Sequence, residues 1–147
     1  MTFNVQPHGS EQLVDLLVEP DQAEELKQTS GGYPSITLSQ RQLCDLELLM
    51  NGAFTPLTGF MGQAAYDAVL DSLSLPDGTL WPVPIVLDVA KRFSEKLAVG
   101  DRIALRDGEG FMPAVLIVED IWRPDRRREA EKLYGTADES HPGVRYL

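Results

Sequence analysis

The stretch Leu38–Met61, LSQRQLCDLELLMNGAFTPLTGFM, holds a helix start, a helix stop and a turn in one short passage. Ser39 followed three residues later by Gln42 is a capping box, in which the hydroxyl accepts from the Gln42 amide while the Gln42 side chain reaches back to the Ser39 amide. Leu38 and Leu43 stand at the two positions of a hydrophobic staple across that start. A helix therefore begins at Gln40. Leu43, Leu46 and Met50 recur at helical spacing with Leu49 beside them, and Asn51-Gly52 supplies a left-handed residue that ends the helix near Met50. The passage from Ala53 to Met61 is too apolar for a solvated loop and too broken by Pro56 and Gly59 for regular structure. It is expected to pack against something.

On the N-terminal side, Val5 to Glu19 has mixed periodicity and reads as extended. Asp21 to Gln28 is rich in helix formers after Pro20 and predicts a short exposed helix stopped by Gly31-Gly32. Tyr33 to Leu38 reads as a brief strand leading into the capped helix. On the C-terminal side, Tyr66, Val69, Leu70 and Leu73 fall at i, i+3, i+4 and i+7, predicting a second amphipathic helix from about Gln63 to Ser72, with a turn at Asp77-Gly78. From Leu80 the period becomes that of strands. Trp81 to Val89 is dense in β-branched residues, and Pro82 and Pro84 lack donors on one side of it, which suits an edge or a strand entry. Val99 to Arg106 and Phe111 to Ile121 form a hairpin around Asp107-Gly108-Glu109-Gly110. That turn is followed by neither a helix N-terminus nor a P-loop lysine, so it reads as a turn and not as a phosphate cradle. Pro124-Asp125 starts a helix through Tyr134 that Gly135 closes. Helices near both ends of a run of strands, without regular βαβ alternation, predict an α+β fold built on a small barrel-like sheet, with residues 1–147 as a single domain.

Composition bears on partners and compartment. The single cysteine, Cys44, can make no internal disulfide, which fits a reducing compartment, and it reads as a small buried side chain of the capped helix. No apolar run is long enough for a membrane span, and Met1-Thr2-Phe3-Asn4 lacks the regions of a signal peptide, so a cytoplasmic protein without a membrane partner is expected. The net charge is −10, from 13 basic and 23 acidic residues. Binding a phosphate backbone needs clustered Lys and Arg. The one dense basic run, Arg123 to Arg128, reads as a solvated helix start, and no nucleic-acid partner is expected.

RQLCDLELLMNGAFTPLTGFM resembles the signature of the N-terminal, PUA-like domain of sulfate adenylyltransferase (ATP sulfurylase). Pro7-His8-Gly9, then Gly78-Thr79-Leu80-Trp81-Pro82-Val83-Pro84-Ile85, then Tyr134-Gly135-Thr136 and His141-Pro142-Gly143-Val144 agree in order, so the resemblance covers nearly the whole chain. It implies a PUA-like barrel with flanking helices. It also implies a parent enzyme that makes adenosine 5'-phosphosulfate and pyrophosphate from ATP and sulfate, in sulfur metabolism. The family's catalytic motifs, Gln-x-Arg-Asn and His-x-x-His, belong to a following domain and do not occur here. ATP and Mg are accordingly expected only with that catalytic domain, and none of the present residues is assigned a catalytic, cofactor-binding or metal role.

Elementary chemistry agrees. His8 and His141 stand at opposite ends of the chain and read as loop histidines, each with a backbone hydrogen bond. The serines have no local histidine, and Asp138-Glu139 beside His141 reads as charged surface. The expected role is a structural domain packed on a catalytic domain in cis or in trans. Phe54, Pro56, Leu57, Phe60 and Met61 are the candidate interface residues, or core if the segment turns inward. A stand-alone interaction module that pairs with itself, and an RNA-binding PUA-like module that the acidity disfavours, are the alternatives.

Overall fold

A computed structural model describes residues 5–147, and Met1-Thr2-Phe3-Asn4 lies outside the described residues. In order, the elements are α1 (Pro20–Thr29) with a 3₁₀ turn after it, β1 (Ser35–Thr37), α2 (Gln40–Met50), α3 (Gln63–Ser72), α4 (Lys91–Ser94), β2 (Arg102–Arg106), β3 (Ala114–Ile117), α5 (Arg126–Tyr134) and α6 (Pro142–Tyr146). Residue contacts divide the chain into two compact units. One takes the described residues 5–60 and 87–120; the other takes Met61–Val86 and Ile121–Leu147.

The first unit is built on α2 and a three-stranded sheet of order β1-β2-β3. Ser39 Oγ accepts from the Gln42 amide at 3.3 Å, and Gln42 Oε1 accepts from the Ser39 amide at 2.9 Å, the predicted capping box. Gln42 is buried because its Nε2 also donates to the Asp88 carbonyl at 2.9 Å, leaving little of its polarity unsatisfied. Asn51 leaves the helical region at φ −89° and ψ 3°, and Gly52 takes the left-handed conformation at φ +80°. A Cβ on Gly52 would stand 2.5 Å from the Val14 carbonyl oxygen, so glycine also permits a close chain crossing here.

Strand β2 is central. It pairs parallel with β1 (Ser35 with Ala104, Thr37 with Arg106) and antiparallel with β3 (Arg102 with Ile117, Leu105 with Ala114). Ile103, Ala104 and Leu105 are each 1% exposed or less, so β2 is covered on both faces. Leu38, Leu46, Ile103, Leu105 and Val118 form the core of this unit, and Phe60, Leu87, Phe93 and Leu97 pack around it half-buried.

In the second unit α3 turns Tyr66, Val69 and Leu70 inward. Helix α5 is capped at its start by Asp125, whose Oδ1 accepts from the Arg128 amide at 3.0 Å, and at its end by Gly135 with φ +70°. Arg128 bonds both Asp67 and Asp71 of α3, and Lys132 stands 3.4 Å from Asp71. These two helices are thus joined by charge on one side.

Several expectations need correction. The sheet is open, with β1 and β3 as edges, and not a barrel; three short strands cannot close on themselves. Residues 81–90 form no strand; Leu80 alone makes an isolated bridge, to Ser74. Pro82 and Pro84 remove donors that a ladder would need. The long strand read from Phe111 to Ile121 is confined to β3. Val5 to Glu19 pairs with no strand, although burial alternates along 13–17. Cys44 is exposed, because α2 is buried at Gln42, Leu46 and Leu49, and position 44 falls half a turn away from the first two. Leu73, read as the last inward residue of α3, is its left-handed cap at φ 54° and is 48% exposed.

Candidate interaction surface

The five residues expected to form an interface mostly point inward. Leu57 and Met61 are 8% and 7% exposed, and Phe60 packs on the core of the first unit. Phe54 and Pro56 are half-buried. The backbone holds this segment firmly. Thr55, buried, donates its hydroxyl to the Gly52 carbonyl at 2.6 Å and accepts from the Val14 amide at 3.0 Å. In the second unit, the Met61 amide donates to the Ile85 carbonyl at 2.8 Å.

The histidines differ in setting. His141 Nδ1 accepts from the Gly143 amide at 3.2 Å and caps α6, as a loop histidine with a backbone bond should. His141-Pro142 was the legible signal for that helix, a capping residue followed by proline at the first helical position, and the sequence reading passed over it. His8 is exposed. Among the described residues, no group of three or more His, Cys, Asp and Glu side chains is placed to share a metal. Asp138 instead accepts from the Ser140 amide at 2.8 Å, which with a second bond to Ser140 holds its carboxyl below the usual range.

A groove of about 400 Å³ lies at the β1 edge of the first unit, and sequence reasoning did not find it. Ile36, Val89 and Phe93 supply apolar wall, Thr37 and Asp88 supply polar atoms, and Arg92 stands at its lining. Asp88 is neutralised by Arg41 at 2.9 Å. Arg92, by contrast, forms no ion pair with any described carboxylate. The arrangement suits an extended, partly apolar segment that carries negative charge. No helix among the described residues is long and apolar enough to cross a membrane.

In the first unit a small mixed sheet, its neighbouring helices and an open groove at one sheet edge define an α+β arrangement. A family profile described as a PUA-like domain matches residues 5–147, and the chain belongs to that family. Within it, the chain is similar to sulfate adenylyltransferases. It is 41% identical to that of Eremothecium gossypii over 96% of this chain and 28% of the relative. For Schizosaccharomyces pombe the identity is 46%, over 84% of this chain and 26% of the relative. For Aspergillus fumigatus it is 45%, over 96% and 25%. Among solved structures, the hexameric APS kinase from Thiobacillus denitrificans is 42% identical with a TM-score of 0.72, covering 82% of this chain and 24% of that one. The chain thus spans about a quarter of the length of these relatives, and its resemblance to their N-terminal PUA-like domain stands.

Proposed function

We propose that the chain serves as the N-terminal structural domain of a sulfate adenylyltransferase, whose full-length form joins ATP and sulfate to give adenosine 5'-phosphosulfate and pyrophosphate. The observation that carries this reading is identity near 45% across almost the whole chain but only a quarter of the relatives. ATP and Mg belong to the catalytic portion, and the chain works beside it in the cytoplasm as a packing partner in cis or in trans. Of the candidate interface residues, Phe54 and Pro56, half-buried, are the two proposed to touch that portion.

The test is sulfate-dependent exchange of pyrophosphate into ATP. The purified chain should show none, while activity by the chain alone would overturn the proposal. Self-association is a second partner reading, favoured by the hexameric state stated for the similar solved structure.

A further inference from the structure

We propose that this chain self-associates by strand addition, the segment Leu13–Leu17 of one copy lying along the free edge of β1 in another, with Arg92 receiving the acidic side chain of that segment. The proposal rests on the self-association reading above and names its surface.

The edge is defined by hydrogen bonds. The Pro34 carbonyl accepts from the Ala104 amide at 2.9 Å, and the Leu38 amide donates to the Arg106 carbonyl at 2.7 Å. Even-numbered positions of β1 therefore face β2, and the backbone N–H and C=O groups of Ser35 and Thr37 face away. Neither finds a partner among the described residues, and both residues are exposed. Unpaired edges of this kind are templates for another strand. The groove described above, with Ile36, Val89 and Phe93 as its apolar wall, runs beside this edge.

The occupant is argued from the same unit. The Val14 amide donates to Thr55 Oγ1 at 3.0 Å and the Leu16 amide to the Met50 carbonyl at 3.4 Å, so the even positions are tied to their own copy. Leu13 and Leu17 are each 63% exposed. The backbone groups of Leu13 and Asp15 are unpaired among the described residues, which gives this segment its own open edge. Leu13, Asp15 and Leu17 fall at alternate, exposed positions, so the two leucines suit an apolar wall and Asp15 between them suits Arg92. Asp15 Oδ1 accepts from the Leu17 amide at 3.0 Å, and its second oxygen is left for the guanidinium. For a chain of net charge −10, a place where acid meets base offsets part of the repulsion between copies, and Arg92, with no ion pair to a described carboxylate, supplies the base.

Sedimentation velocity across micromolar to millimolar concentration tests this, with circular dichroism confirming that each variant is folded. The wild type should associate, Arg92→Glu should weaken association at least about tenfold, and the double variant Asp15→Lys/Arg92→Glu should recover it by reversing the pair. A monomer at every concentration overturns this surface and the self-association reading together. Association indifferent to Arg92→Glu overturns this surface and leaves self-association standing. Loss in the single variant without recovery in the double overturns the assigned pairing.

Discussion

Tyr66 donates its hydroxyl at 2.8 Å to Glu129, a carboxylate only 5% exposed, while its ring lies 4.4 Å from that of Trp122. Tyr66 is itself 2% exposed, so its phenol is raised above its ordinary value first by burial and then by the hydrogen bond to Glu129. Tyr66→Phe keeps the ring and leaves the buried carboxylate short of a donor, and should cost about 1–3 kcal/mol in urea unfolding at neutral pH. The pH dependence has a definite sign. An acid whose folded value is raised adds stability that is present below the unfolded value of about 10 and is lost as pH climbs beyond it. From about pH 9 to about pH 11 the wild type should therefore lose stability faster than Tyr66→Phe, by up to about 1.4 kcal/mol per pH unit. Equal slopes would mean that the phenol does not titrate against folding. This pair was hidden in the sequence, where Tyr66 reads as one more inward residue of α3 and Glu129 as one more surface acid of α5. Their meeting depends on packing across 63 positions, and no local pattern encodes that.

Helices with a local signal, in their caps or in apolar spacing, were legible in the sequence, α2, α3 and α5 among them, whereas the short α4 and α6 were not read. Helix α2 starts and stops where Ser39, Gln42 and Gly52 place it, and α5 runs from its Asp125 cap to Gly135. Elements that need a distant partner were not. Residues 81–90 have strand composition and no ladder, and the groove joins Ile36 to Arg92 without any motif at either place. Gly52 separates two reasons for glycine. Gly52→Ala meets both a positive φ and the Val14 carbonyl, whereas Gly78→Ala, at φ +89° in open space, meets the first alone. Thermal unfolding should show Gly78→Ala destabilised by about 1–2 kcal/mol and Gly52→Ala by at least about 1 kcal/mol more. Equal losses would mean that the crossing beneath the end of α2 relaxes freely.

Across the whole molecule the charge decides what can approach. Many partners built of phosphate would have to displace counterions using clustered cations, yet here Arg128 is committed to Asp67 and Asp71, Arg127 to Glu131 and Arg41 to Asp88. A gel shift with single-stranded or hairpin RNA at low salt should show no complex, and a retarded band would reverse the assignment of this domain to protein contacts. The acidity was legible from composition, while the pairing that occupies Arg41, Arg127 and Arg128 required the fold. The parallel pairing of β1 with β2 has a consequence in time as well as space. Ser35 meets Ala104, and the polypeptide between them includes three helices. Because synthesis adds roughly 5–20 residues per second, β1 leaves the ribosome seconds before its partner exists. The hairpin of β2 and β3, joined by a short turn, can close as soon as it emerges, so β1 is the strand that must wait, and whatever shields its backbone during that interval is something other than its native neighbour.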